Sequence, residues 1–281
     1  MTQKSPLWLT VLSLSFLVLW LALASVPFIW TLWGSFKVEA DFFSRLDWRN
    51  AIYGVRTLAE TGGTFTGGGY EGAWVKEEFW KAALNTGIMT LSVVAISLTL
   101  GTLGGYALAR SGFRYAFWIL VVALVFRAMP HITLVSGYLL PFFEMNLWGH
   151  LTTTIIVMVA INQPFTLWML HSFFLNIPKD LDESAMVDGC TRFQAFRYVI
   201  WPQALRRMIP PLGNQGIISI KDTSLFSVIG VSELVRQGQI YIATTFTALE
   251  VYFMVALMYL AITWTLSLVL RQIERRGLAG Q

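Results

Sequence analysis

Long stretches without a single charged side chain constrain this chain more than any other feature. Ser5 to Phe36 holds no Asp, Glu, Lys or Arg, and neither do Ala82 to Ala109, Met145 to Pro178 or Val251 to Leu270. Tyr115 to Phe143 is interrupted only by Arg127, with His131 one turn on. A helix rises about 1.5 Å per residue, so about 20 apolar residues cross a hydrocarbon layer roughly 30 Å thick. These five stretches predict five membrane spans. A sixth is expected over Met208 to Ser232, where Lys221 and Asp222 interrupt an otherwise apolar run. Charged residues inside a span ordinarily face protein rather than lipid. Pro210 and Pro211 fit the first turn of that helix, where a missing N–H costs nothing.

Composition agrees. Of 281 residues, 56% are hydrophobic and 13% charged, against roughly a quarter charged in soluble domains. That excludes a disordered chain, a disulfide scaffold and a soluble enzyme, and leaves lipid as the solvent. The net charge is +4, but the basic residues form no stripe, so no nucleic-acid partner is expected. The single cysteine, Cys190, has no partner for an intrachain disulfide. Ala22-Leu23-Ala24 resembles a signal-peptidase site, yet the apolar run continues well past it, so the first span reads as a retained anchor. Placing the N-terminus in the cytoplasm puts 11 basic residues inside and 7 outside, and six of those seven lie in one loop, 37–81. That asymmetry favours a cytoplasmic N-terminus. One membrane unit, 1–281, is expected: a first span and outer loop over 1–81, then a core over 82–281.

The longest charged stretch between the later spans is 179–207, on the cytoplasmic side in this orientation. Asp180, Asp182 and Glu183 crowd the start of a helix, where its dipole favours negative charge. Gly189 suits a left-handed helix end. Thr191 with Gln194 three residues later forms a capping-box pattern, and Phe193, Phe196, Val199 and Ile200 fall on one face. The segment therefore predicts a helix–turn–helix with an apolar side. Periodicity alone is equally consistent with an amphipathic connector lying on the inner membrane face.

The residues themselves go further. Glu183, Ser184, Ala185, three residues, Gly189, nine residues, Val199, one residue, then Trp201-Pro202 resembles the EAA loop of ABC importer permeases, with Ser184 replacing an Ala and Trp201 a Leu. In that family the loop is the coupling helix that docks on a cytoplasmic ATPase. The resemblance implies a polar docking contact for Glu183, close packing for Ala185 and the turn for Gly189, with Ser184, Asp188 and Pro202 completing the coupling set. It further implies the transmembrane fold of a type I ABC importer.

The likeness has two accents. Asn85, Gly105-Tyr106-Ala107-Leu108-Ala109-Arg110 and Ile177-Pro178-Lys179-Asp180-Leu181 resemble maltose-type sugar permeases. From Pro202 onward, Pro202-Gln203-Ala204-Leu205-Arg206-Arg207, Lys221-Asp222-Thr223-Ser224-Leu225 and Glu233-Leu234 resemble polar amino-acid permeases. Length favours a sugar or oligosaccharide, with a polar amino acid as the alternative. No G-x-x-x-x-G-K-[ST] is present, so the chain is expected not to be an enzyme, and ATP and magnesium are expected on the partner ATPase. The resemblance implies as partners an ATPase dimer, a second permease (the same or different), an external solute-binding protein and inner-membrane lipid. An ion channel, a proton-coupled carrier and a membrane enzyme are the rival classes. The first two would need their own charged or carbonyl-lined path, and no catalytic constellation supports the third.

Arg127, His131, Lys221, Asp222 and Thr223 are the candidates for a substrate path, since intramembrane charges mark pathways. Arg127 could instead snorkel or pair with a neighbouring subunit, and Lys221 and Asp222 could serve structural pairs. The glycine-rich run Thr61–Gly69 reads as a flexible outer loop. His131, His150 and His171 lack ligand spacing, so no metal is expected.

Overall fold

In the computed structural model the structure describes residues 6–37 and 68–278, and these are helical almost throughout. Lys4, Arg45, Arg49, Arg56 and Thr61–Gly67 of the glycine-rich run lie outside the described residues. The helices are α1 (Leu7–Gly34), α2 (Gly68–Glu71), α3 (Phe79–Arg110), α4 (Ala116–Ala128), α5 (His131–Gly137) and α6 (Leu139–Glu144). There follow α7 (Leu151–Leu175), α8 (Asp180–Val187), α9 (Arg192–Ala195), α10 (Trp201–Asp222), α11 (Leu234–Thr245) and α12 (Ala248–Leu278).

Among the described residues, α1, α3, α7 and the Ala248–Ile273 part of α12 are long and apolar enough to cross a membrane. The stretch expected to form one span over Tyr115–Phe143 is broken: α4 and the following His131–Glu144 pair bend by 94°, and together they make a fifth crossing if taken as one. The cause is Pro130. A residue before proline is driven out of the α region, and Met129 is extended at ψ 146°.

The sixth expected crossing is taken up by α10, which does not pass on hydropathy. It begins at Trp201 rather than near Met208, so Pro202 stands in its first turn while Pro210 and Pro211 lie in its interior, where they remove two ladder donors. Its polar residues face protein. Gln215 Nε2 donates to Asn162 Oδ1 of α7 at 2.6 Å, and both residues are buried. A helix lined this way scores poorly as a lipid-facing segment while packing well inside a bundle.

The chain divides into two compact units, one containing residues up to Glu77 together with Gly238–Ala256, the other Glu78–Gln237 with Leu257–Gln281. The 1–81 and 82–281 division read from sequence assigns 238–256 differently. In the first unit, α1 is apolar all round and its side chains are exposed, as for a helix solvated by lipid. A Cβ at Gly72 would overlap the Tyr241 hydroxyl, so only glycine allows this close approach of the Gly72–Lys76 turn to α11. The Tyr70 hydroxyl donates to Ser35 Oγ.

In the second unit α3 packs along α7. A Cβ on Gly101 would stand 2.8 Å from Thr166 Cγ2, and one on Gly105 2.9 Å from the backbone nitrogen of His171. Gly101 and Gly105 are four residues apart and form the small-residue face by which membrane helices approach closely without a hydrophobic driving force. Around this seam lie two cores, one built on Met89, Val93, Met158 and Phe226, the other on Leu170, Phe174, Phe196, Ile200 and Met208.

Gly105→Val is therefore expected to destabilise the detergent-solubilised protein by about 1–3 kcal/mol, because backbone rather than a flexible side chain is in the way. Gly87→Ala, whose Cβ would meet no atom within 4 Å, is expected to be neutral or slightly stabilising. Thermal unfolding followed by tryptophan fluorescence checks the pair, and equal midpoints would contradict the seam.

Candidate functional site

The 179–207 segment folds as its residues dictate. α8 opens with Asp180, Asp182 and Glu183 in its first turn. Gly189 ends it in the left-handed region at φ 89°, where a side chain would be strained. Thr191 then caps α9: Gln194 N donates to Thr191 Oγ1 at 3.3 Å and Thr191 N to Gln194 Oε1 at 2.8 Å, a complete capping box. The second helix is not a short separate piece. It runs through a wide turn, Phe196–Ile200, into α10. Of the expected apolar face, Phe196 and Ile200 are buried while Phe193 is exposed.

α8 has two distinct faces. Ala185 is buried, as close packing requires, whereas Glu183, Ser184, Met186, Val187 and Asp188 are exposed, Val187 at 87%. Phe193 and Tyr198 extend this apolar exposure beside it. Pro202 is exposed at the start of α10. Exposed aromatic and aliphatic groups rimmed by charge mark a protein-docking surface.

The inner face of α8 is held by a residue that the motif does not single out. Asp182 accepts from Tyr106 Oη at 2.6 Å and from Arg110 Nε at 2.8 Å. The other two nitrogens of the guanidinium donate to the carbonyls of Phe174 at 3.1 Å and Ile177 at 2.9 Å. Those carbonyls belong to the end of α7 and the turn beyond it, and Phe174 O also accepts from Ile177 N at 3.3 Å. The Tyr106 ring packs on Phe174 and Phe196, with centroids 5.5 and 4.7 Å away.

Within the bundle, three of the five substrate-path candidates come together. Arg127 Nη1 lies 2.8 Å from His131 Nε2, and His131 Nδ1 lies 3.5 Å from Asp222 Oδ2. That carboxylate oxygen is buried and without a hydrogen bond. Proline at 130 makes this possible, because the bend starts α5 with His131 directed at the end of α10. Lys221 points elsewhere and is exposed, and Thr223 is buried, donating to Ile220 O at 2.6 Å and lying 3.1 Å from Tyr259 Oη. The cavity beside His131 and Asp222 is only about 10 Å³, room for one water.

Glu233 is a further buried acid, fully inaccessible. Its carboxylate accepts from the backbone N–H groups of Val235 and Arg236 at 2.9 and 2.6 Å, capping α11, and from Tyr259 Oη at 3.1 Å. Burial pushes its carboxyl up to about 7, against the opposing pull of those hydrogen bonds. A sequence signal existed, a Glu immediately ahead of a helical run after Gly230, but it read only as a family accent.

Among the described residues, a helical bundle with apolar crossings, an exposed helical hairpin and a small charged cluster inside has the form of a polytopic membrane protein. The chain belongs to the family of binding-protein-dependent transport system inner membrane components, whose family model matches residues 97–277. It is thus a permease subunit of an ABC importer. It is 43% identical over 191 residues to the glutamine transport system permease protein GlnP of Escherichia coli K12, covering 66% of this chain and 87% of the relative. It is 30% identical over 204 residues to the diacetylchitobiose uptake system permease protein NgcG of Streptomyces coelicolor, covering 69% and 60%. The crystal structure of an amino acid ABC transporter with histidines matches with a TM-score of 0.52 and 27% identity, covering 67% of this chain and 91% of that one.

Because the carboxyl of Glu233 is raised above its ordinary value, its contribution to stability is present at low pH and is lost as pH rises through about 7. The thermal midpoint is expected to fall between about pH 4.5 and 7, the ordinary and the raised value of this carboxyl, and Glu233→Gln to flatten that slope. Parallel pH profiles of the two proteins would contradict the assignment.

Proposed function

We propose that this chain forms the translocation path for a polar amino acid, with glutamine as the first candidate, rather than for a sugar. The observation that carries the reading is the meeting of Arg127, His131 and Asp222 in the bundle. An amino acid is a zwitterion, and a guanidinium and a carboxylate held on either side of one imidazole ring match its two charges. Arginine recognises a carboxylate with two parallel N–H donors, and the unpaired oxygen of Asp222 is an acceptor for an ammonium. A sugar presents neither charge. The similarity to a glutamine permease, at higher identity than to the diacetylchitobiose permease, supports the same choice. Length, which favoured a sugar, is the weaker argument, since the additional residues are largely the first span and outer loop.

In this reading His131 bridges the two charges while the site is empty, and solute displaces it. The cavity is too small for a solute in this state, so binding requires α5 and α10 to separate. Alternating access supplies that motion. ATP and magnesium act on a pair of partner ATPases, whose closure draws the α8 segments together. Glu183, Ser184, Asp188 and the exposed Val187 meet the ATPase, Ala185 packs inward and Gly189 lets the chain turn back. An external binding protein delivers solute, a second permease completes the path, and the N-terminus is cytoplasmic.

ATP hydrolysis by the reconstituted importer, with its ATPase and binding protein, is expected to be stimulated by glutamine and not by diacetylchitobiose. Arg127→Ala and Asp222→Asn should each cut glutamine import by roughly 10-fold to 100-fold, the loss of one or two charge-assisted contacts, without loss of assembly. Stimulation by the sugar alone would reverse the solute assignment.

A further inference from the structure

The docking motif accounts for the outer face of α8 but not for the inner one, where a charged network occupies the junction of three elements. The geometry points to Asp182 as the positioning residue that makes α8, α3 and α7 move as one body, with Arg110 and Tyr106 as its anchors. This rests on the reading of α8 as the ATPase-docking segment, but not on the identity of the solute.

Consider what otherwise holds α8. It is tied to the rest of the chain by the turn after Leu175 and by Gly189, and the left-handed glycine at φ 89° is a place where the backbone bends cheaply. Leu181 and Ala185 seat this helix of eight residues, Asp180–Val187, against the second core, but apolar contacts are non-directional and leave its angle free to change under load. Asp182 removes that freedom. Both of its oxygens are engaged, Oδ1 by Tyr106 and Oδ2 by Arg110, and the residue is buried.

Arg110 then distributes the contact. As the last residue of α3 it reaches Asp182, the end of α7 through Phe174 O and the turn through Ile177 O, three acceptors for one planar guanidinium. Lysine, a point charge on a flexible stem, cannot reproduce that fork. Tyr106 sits one turn earlier, its ring wedged between Phe174 and Phe196, so its hydroxyl is aimed by packing rather than by chance. Above the network, Gly105 allows α3 to touch the α7 backbone. A push on α8 therefore reaches two membrane helices through rigid contacts.

The test uses the complete importer in liposomes with its ATPase and binding protein. With Asp182→Ala or Arg110→Lys, the ATPases are free to close without moving the helices. Hydrolysis in the absence of solute is expected to rise by roughly tenfold, the effect of losing one charged hydrogen-bonded contact, while glutamine import falls and the ATPase still co-purifies. Tyr106→Phe keeps the ring packing and removes only the bond to Asp182, so it should move both quantities in the same directions by a smaller factor. It carries the test if the stronger variants do not assemble. Solute-free hydrolysis that stays at the wild-type level in Tyr106→Phe and in every variant that assembles would overturn the proposal. So would hydrolysis and import falling together in proportion. The solute-free rate does not depend on which solute is carried, so failure of the glutamine assignment alone shows as unstimulated wild-type hydrolysis with the Asp182 effect intact.

Discussion

The carboxylate–guanidinium contact between Asp182 and Arg110 is the interaction on which the packing of α8 against α3 and α7 depends. Both side chains are largely inaccessible, Arg110 at 13% and Asp182 at 11%. Breaking a buried pair by removing one partner leaves an uncompensated charge and costs about 3–5 kcal/mol in other proteins. Here the guanidinium also donates to the Phe174 carbonyl at the end of α7 and to the Ile177 carbonyl beyond it, so the pair ties down the end of α7 as well as joining α3 to α8. The aromatic cluster of Tyr106, Phe174 and Phe196 fills the space behind it, and the Gly101–Gly105 seam brings α3 and α7 close enough for the side chains to meet. Each part depends on its neighbour: without the glycines the helices stand apart, and without the pair α8 has no fixed angle.

The same chain shows how lipid changes the meaning of polar residues. In α1 the hydroxyls of Ser13, Ser25 and Thr31 bond back to carbonyls of the helix's own preceding turn, and its surface is otherwise largely apolar. In α7 and α10 the buried Asn162 and Gln215 find each other, and the three charged candidates Arg127, His131 and Asp222 form a chain of contacts inside the bundle. A charge within the hydrocarbon layer is costly enough that it persists only where it is paired or used. Asp222 is both paired, at 3.5 Å from His131, and left with an oxygen that accepts no hydrogen bond. That half-satisfied state suits a group that exchanges a protein partner for a ligand.

Local chemistry was legible in the sequence wherever it depends on nearest neighbours. Gly189, the Thr191–Gln194 box and the acidic start of α8 all stand as their spacing implies, because caps and left-handed turns are decided within four residues. The long charge-free spans were legible for the same reason, being a property of composition over one helix. What was not legible required knowing which helices touch. Asp182 looked like one of three acids serving a helix dipole, and only the fold brings Tyr106 and Arg110 to it across more than seventy residues. His131 and Asp222 are ninety residues apart and meet because Pro130 breaks a span that hydropathy reads as continuous. Hydropathy also misjudged α10, since it sums a helix's polarity without knowing whether lipid or protein covers it. Glu233 was visible as a residue, but its burial and capping role belong to the packing of Tyr259.

The central claim is that the charged cluster of α4, α5 and α10 receives the solute. The most direct measurement is the structure of the reconstituted importer with glutamine bound in its transport path. The account predicts the glutamine carboxylate within hydrogen-bond distance of Arg127 and its ammonium beside Asp222, with His131 moved out from between them. Solute density lying away from these residues, with the Arg127–His131–Asp222 contacts unchanged, would contradict it.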